Sequence, residues 1–326
     1  MILIIGEHND VSTDKVCAWL NYYNADFIRV NSYLNSDNIL SNIELNNEKL
    51  NFQLIINNRI YDLDEIDAIW CRRGYLSITI PNHTSLNLAE NNIPKEIGWH
   101  LQNESDTLNG YFEYVIEQKF HINNKNHYNS NKLIALSTAK KYGLRIPTTL
   151  VTRERDVLKE FISENKEVIT KNIQDTLSYK DGKYIFGHCT KDVDHITTDK
   201  FFYSLFQNKI ISKYELRIFY LNGKFFAHAA LSPSESKSTD IRRSGRKNRY
   251  IPFDIPEDIK TKIKLFMDEM KLESGSIDMI VDENNEYYFL EVNPVGQFGY
   301  LSGYNNYYIE REIAKELING KTCSIS

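Results

Sequence analysis

Two carboxylates and an amide, Asp278, Glu291 and Asn293, are spaced so that a hairpin would bring their oxygens together. Ser276–Val281 and Tyr287–Val292 are largely β-branched and aromatic, and Asp282–Glu286 between them is polar, which is a hairpin signal. Side chains two apart on a strand share a face, so Glu291 and Asn293 point the same way. If the two strands pair, Asp278 joins them. An all-oxygen set built on two carboxylates is what Mg²⁺ takes when it also binds nucleotide phosphates. The competing reading makes Asp278 a solvated edge residue and Glu291-Val292-Asn293, ahead of Pro294 and Gly296, ordinary strand-end polarity.

Cations stand elsewhere in the chain. Lys171 closes the apolar run Val168-Ile169-Thr170, and Lys132 opens a helix, where a cation is unfavourable against the helix dipole. Glu215 and Arg217 share a face of the strand Tyr214–Phe219. Arg is the side chain suited to bidentate phosphate contacts, so Arg217 is a candidate to face a transferred phosphate; the alternative is a cross-strand surface ion pair. Arg242, Arg243, Arg246, Lys247 and Arg249 make the loop from Ser232 onward basic. It reads either as a solvated loop or as a lid that orders over anions.

The elements that must position these residues are those of an α/β chain. Ile2–Gly6 reads as a buried strand, followed by a helix to about Tyr23 that Ser12 or Thr13 can cap. Further strands are expected at Asp26–Val30, Lys49–Ile56, Arg59–Leu63 and Ala68–Cys71, and a helix from about Ile93 to Phe120. The Asn-rich run 121–131 reads as a linker. After it come a helix at Lys132–Gly143 with a glycine stop, a strand at Leu144–Val151, a helix at Arg155–Ile162 and a strand at Val168–Lys171. Hairpin turns are expected at Asp181-Gly182 and, most strongly, at Asn222-Gly223 between Ile210–Tyr220 and Lys224–Leu231. Helices at Lys260–Met270 and Ile309–Leu317 complete the pattern.

Composition removes several classes. The 326 residues are 41% hydrophobic and 25% charged, values of a globular protein large enough for two or three domains. A net charge of −5 argues against a nucleic-acid partner. No apolar run approaches the ~18–20 residues of a membrane span, and Met1–Gly6 lacks the basic region and cleavage site of a signal peptide. Cys17, Cys71, Cys189 and Cys323 are scattered, as suits reduced thiols in a cytoplasm.

Asp278 with Glu291-x-Asn293 resembles the metal-binding signature of the ATP-grasp ligases. The order from Asn131-Lys132 through Gly143-Leu144-Arg145-Ile146-Pro147-Thr148 to Val168–Lys171, and the acidic-x-Arg strand Glu215–Arg217, resemble that superfamily too. Within it the chain is most similar to the graspetide synthetases, typified by the microviridin ligases. That likeness runs through Ile69–Arg73, Thr239–Arg242 and Leu290–Phe298, while Met1–Leu20 and Trp70–Gly74 look most like the peptide maturases of grasp-with-spasm clusters. One departure is visible: after Lys171 there is no glycine-rich phosphate loop, only Gly182 and Gly187.

The resemblance implies an α/β ATP-grasp fold of α+β lobes behind an N-terminal α/β pre-grasp domain, with domains at 1–128, 129–206 and 207–326. It implies ATP and two Mg²⁺ ions, the metals on Asp278, Glu291 and Asn293. The ATP phosphates would lie on Lys132 and Lys171 and the adenine along Phe206, Gln207 and Ile211. Arg217 and Arg242 would be the catalytic cations. The implied partner is a ribosomal precursor peptide whose leader segment docks near Tyr179–Phe186, and a homodimer is admitted. The implied reaction phosphorylates an Asp or Glu side chain of the precursor and closes it onto Thr, Ser or Lys as an ester or amide, releasing ADP and phosphate. Two alternatives stay open: a glutamate-adding or dipeptide-forming ligase, and a nucleotide-binding module without catalysis.

Overall fold

The computed structural model describes residues 1–31, 40–47, 50–56, 59–73, 95–123, 131–174, 178–181, 184–187, 190–193, 200–231 and 249–323. The chain divides into two compact units, Met1–Tyr128 with Tyr308–Ser326, and Asn129–Tyr307.

The first unit is built on β1 (Ile2–Gly6), every residue of which is buried. It is followed by α1 (Val11–Tyr22), β2 (Phe27–Asn31), β3 (Leu40–Leu45), β4 (Leu50–Ile56), β5 (Arg59–Asp62), β6 (Ala68–Arg72), α2 (Lys95–Glu117) and β7 (Phe120–Ile122). The order β2-β1-β6-β7 is parallel throughout, and β3-β4-β5 form a separate antiparallel sheet. Asp10, rather than Ser12 or Thr13, caps α1. Its carboxylate accepts from the Ser12 amide at 3.1 Å and the Thr13 hydroxyl at 3.0 Å, and is fixed by Arg72 Nε at 2.7 Å. Burial opposes the Asp10 charge, but Arg72 and these donors outweigh it and hold the carboxyl below its ordinary range. The helix expected to reach Phe120 stops at Glu117, because Phe120 pairs with Ala68 of β6.

The second unit opens with α3 (Lys132–Lys141), capped by Asn131 Oδ1 and ended at Gly143, whose φ is +76°. Then come β8 (Thr149–Glu154), α4 (Arg155–Glu164), β9 (Val168–Lys171), β10 (Ser178–Asp181), β11 (Tyr184–Gly187), β12 (Lys191–Asp192) and β13 (Lys200–Asn208). The strand expected at Leu144–Val151 starts late. Its first part instead touches the C-terminal sheet, where Arg145 bridges to Tyr288. The order β12-β9-β13-β8 makes one sheet, with Leu158, Phe161, Val168 and Phe206 as its core, and β10-β11 is a separate hairpin.

Five antiparallel strands complete the unit: β14 (Ser212–Leu221), β15 (Lys224–Leu231), β16 (Arg249–Pro252), β17 (Ser274–Asp282) and β18 (Tyr287–Asn293), in the order β16-β15-β14-β17-β18. Asn222 and Gly223 both have positive φ, as a two-residue hairpin turn demands. One sheet face carries Leu216, Ile218, Ala227, Ala229, Ile277, Met279 and Phe289 into a core shared with α3 and with α5 (Glu257–Glu269). The other face meets α6 (Gly299–Asn305), where Phe298 packs on Phe219 at 4.8 Å.

The last helix, α7 (Ile309–Cys323), corrects the expected division, which assigned it to the C-terminal lobe 207–326. Ile309, Ile313, Ala314 and Leu317 are fully buried or nearly so, and the helix packs on α1, β6 and β7 of the first unit.

The turn after β18 depends on Gly296. Its φ is +60°, and a Cβ there would lie 2.9 Å from Phe219 Cε2. Gly296→Ala is expected to destabilise the protein by about 1–3 kcal/mol, read as a lower urea midpoint. An unshifted midpoint would mean that the turn relaxes without cost.

Candidate active site

Register explains how distant residues meet. The Asn222-Gly223 turn sets Leu221 opposite Lys224, and counting back sets Arg217 opposite His228. Arg217 also faces Asp278 across β14 and β17, and Asp278 faces Glu291 across β17 and β18. One row across four strands therefore reads His228, Arg217, Asp278, Glu291. Asn293 lies two residues on from Glu291, opposite Ser276. A bulge between Asp278 and Met279 lets β18 regain its pairing beyond the carboxylates.

The row is electrostatically paired. Arg217 Nη1 donates to Asp278 in a short charge-assisted bond. Lys132 Nζ lies 3.3 Å from Glu291 Oε2 and donates to the Asn172 carbonyl at 3.1 Å. Lys171, at the end of β9, is held below its ordinary pKa first by burial and also by the Lys132 charge, against the pull of Glu291, Asp278 and Glu215. Burial works against the Arg217 charge, but Asp278, Tyr300 and Glu291 outweigh it and push the guanidinium pKa up.

The residues present fit a divalent cation. Asp278 and Glu291 are cross-strand neighbours, and Asn293 Oδ1 accepts from the Gly296 amide at 3.3 Å, which leaves the amide oxygen a second lone pair. Among the described residues no group of three or more His, Cys, Asp or Glu side chains could hold a metal. A set of two carboxylates is that of an ion whose remaining positions go to water and phosphate, as Mg²⁺ prefers.

The structure brings Lys132, Lys171, Arg217, Asp278, Glu291 and Asn293 into one neighbourhood. The residues expected along the adenine lie where one sheet hands the chain to the other. Phe206 faces the core of the central lobe, Gln207 is buried and donates to Thr149 Oγ1 at 2.9 Å, and Ile211 is exposed. The Phe206 and Gln207 side chains are thus engaged within the lobe, and only the backbone and Ile211 remain to meet a base. Arg249 of the basic loop opens β16, and Arg242, Arg243, Arg246 and Lys247 lie outside the described residues. So do the side chains of the hairpin at Tyr179–Phe186, whose strands pair as expected.

Residues 1–129 match the family model described as the MvdD pre-ATP grasp domain. No curated protein sequence matches the chain. Among solved structures it is similar to a RiPP-associated ATP-grasp ligase of Chryseobacterium gregarium, in complex with ADP and a leader and core peptide. Identity is 27% and the TM-score 0.80, over 98% of this chain and 96% of that one. This chain is an ATP-grasp ligase. The ligase also shares its fold with the macrocyclase MdnC of Microcystis aeruginosa MRC bound to precursor peptide MdnA, at 22% identity and TM-score 0.75 over 98% and 99% of the two chains. The same holds for PsnB complexed with minimal precursor, Mg and ADP, at 16% identity and TM-score 0.71 over 98% and 97%. The resemblance to graspetide-type peptide ligases, read from the motifs, is borne out. No helix among the described residues is long and apolar enough to cross a membrane.

The motifs passed over His228, Tyr300 and Asn305. The signal for His228 was present: the two-residue turn at Asn222-Gly223 sets it opposite Arg217. Burial, and then the Arg217 charge, bring the His228 pKa from 6.5 down to about 4. The native ligase therefore binds this proton less readily than the unfolded chain. The resulting stability is complete above pH 6.5 and is lost as pH falls toward 4. The span is worth on the order of 3 kcal/mol. Urea midpoints between pH 6.5 and 4 are expected to fall more steeply for the wild type than for His228→Asn. Parallel profiles would show that the ring takes up its proton at no cost.

Proposed function

We propose that the ligase is a peptide macrocyclase that phosphorylates Asp or Glu side chains of a ribosomal precursor and captures each acyl phosphate with a Thr or Ser hydroxyl or a Lys amine of the same peptide. The observation that carries this reading is the row Arg217, Asp278, Glu291 with Lys132 and Lys171 beside it, in a fold shared at 27% identity with a ligase bound to ADP, leader and core peptide.

Each residue has a task. Lys132 and Lys171 neutralise the ATP phosphates, Lys171 with a charge that burial has left in need of an anion. Asp278, Glu291 and Asn293 would hold two Mg²⁺, which supply Lewis-acid stabilisation of the phosphates. Arg217 orients the substrate carboxylate against the γ-phosphate, two anions that repel each other without a cation between them. A carboxylate oxygen attacks the γ-phosphorus and ADP leaves with the bonding pair. The hydroxyl or amine then attacks the acyl carbon, loses its proton, and orthophosphate leaves. The net change is one water lost from the peptide per ring. The chain supplies position and charge rather than a nucleophile, as phosphoryl transfer generally demands. Arg242, the adenine contacts along 206–211 and a leader site by the β10-β11 hairpin complete the proposal.

The direct test is orthophosphate release and water loss by mass on short Thr- and Asp/Glu-rich peptides encoded beside the gene. Release driven by a free amino acid instead, with no mass change in any peptide, would point to the glutamate-adding or dipeptide-forming reading.

Glu291→Gln and Asp278→Asn keep side-chain shape and remove charge. Each is expected to lower turnover at least 10²-fold, the scale of losing one preorganised electrostatic contact. Near-normal ATP consumption by Glu291→Gln would remove Glu291 from the metal set. Lys132→Met and Lys171→Met should raise the KM for ATP more than they shift Tm. Unchanged nucleotide affinity in both would take the phosphates elsewhere.

Arg217→Ala separates peptide binding from chemistry. Leader binding should survive, while dehydration falls by about 10²–10³-fold. Dehydration at the wild-type rate would remove the case for Arg217.

A further inference from the structure

His228 extends the row of the proposed site by one strand. It is 1% exposed, on β15, across from Arg217. Asp278 flanks Arg217 from β17, on the other side of β14, so in the row of residues Arg217 stands between an anion and an imidazole.

The ring's state follows from its neighbours. Asn305 Nδ2 lies 2.9 Å from the Leu301 carbonyl and 3.0 Å from His228 Nδ1. A carbonyl only accepts, so the atom facing both partners is the NH₂ group. His228 Nδ1 is then an acceptor, and the proton of the neutral ring is on Nε2. Tyr250 lies against the imidazole at 4.8 Å and Tyr300 at 5.8 Å, and Arg217 lies over the Tyr300 ring at 5.9 Å. Arg217 Nε is buried and has no hydrogen-bond partner among the described residues.

We propose that His228 is a positioning residue for Arg217: locked by Asn305 and flanked by Tyr250 and Tyr300, its uncharged ring backs the guanidinium on the side away from Asp278 and leaves the remaining Arg217 donors to an incoming carboxylate or acyl phosphate. This rests on the macrocyclase reading for the identity of that anion. Charge explains the choice of residue. A second carboxylate at 228 would form an ion pair that takes up Arg217, and a permanent cation would repel it. A neutral ring whose Nδ1 already has a donor does neither.

Two variants separate positioning from bulk packing. His228→Phe keeps a ring between the tyrosines and removes the acceptor; His228→Asn keeps an acceptor close to where Nδ1 lies. With the peptide and ATP, His228→Phe is expected to lower kcat by about tenfold to 10²-fold, the cost of a small misplacement near the reacting atoms. The KM for ATP should hold, and His228→Asn should recover part of the rate. A wild-type rate in His228→Phe, or equal losses in kcat and ATP affinity, would overturn the proposal.

A second measurement needs no peptide. In protein labelled with ¹⁵N-histidine and ¹⁵N-arginine, His228 should give the signature of a neutral, Nε2-protonated ring near pH 7. Asn305→Leu should disturb that signature and shift the Arg217 Nε resonance. A charged or Nδ1-protonated ring, or an Arg217 resonance indifferent to Asn305→Leu, would overturn the proposal. Should the ligase prove to act on another substrate, the spectrum still decides what His228 does to Arg217.

Discussion

Antiparallel register is the constraint on which the site depends. Because side chains alternate across a strand, a slip of one residue in any of three pairings would turn Arg217, Asp278 or Glu291 into the core and bring an apolar neighbour out in its place. The buried partners on the opposite face, Leu216, Ile218, Ile277, Met279 and Phe289, make that slip costly. The apolar core shared with α3 and α5 thus fixes which polar atoms meet on the other side. The same α3 begins with Lys132, so the helix that covers one face also contributes a cation to the functional residues.

Those residues are nearly self-neutral as they stand. Arg217 is paired with Asp278, and Lys132 lies near Glu291, while Lys171 feels Glu215, Asp278 and Glu291 at once. Buried charges persist only when partnered, so each residue proposed to meet phosphate or metal is kept by its opposite. On the proposed reading, a nucleotide with its metal exchanges one set of pairings for another: phosphates replace carboxylates around the cations, and metal replaces cations around the carboxylates. The protein then needs no large movement of charge into a low-dielectric region.

Much of this was legible in the sequence, and the reasons differ by element. The hairpin Ser274–Asn293 and the Asn222-Gly223 turn are local: alternation and turn chemistry declare themselves within a few residues. Asp278, Glu291 and Arg217 inherit that legibility through register. β13 was missed because its residues alternate only in part, with Phe202 exposed, and its place between β8 and β9 is a matter of long-range pairing. β7 was hidden at the end of a helical pattern and exists because β6 offers it an edge. The Asp10 cap depends on Arg72, sixty-two residues away. Phe206 and Gln207 are expected along the adenine, and their side chains serve the inside of their own lobe through pairings no local pattern declares.

The two units are not consecutive in the chain. Asn129–Tyr307 is inserted into a unit made of the first 128 residues and α7. On a ribosome, the N-terminal sheet therefore emerges long before the helix that covers β6 and β7, and that surface waits, incompletely buried, while the whole of the second unit is synthesised. Completion of the first unit thus waits until translation has passed α7, so a chain cut short after Tyr307 leaves that unit without the helix packed on β6 and β7.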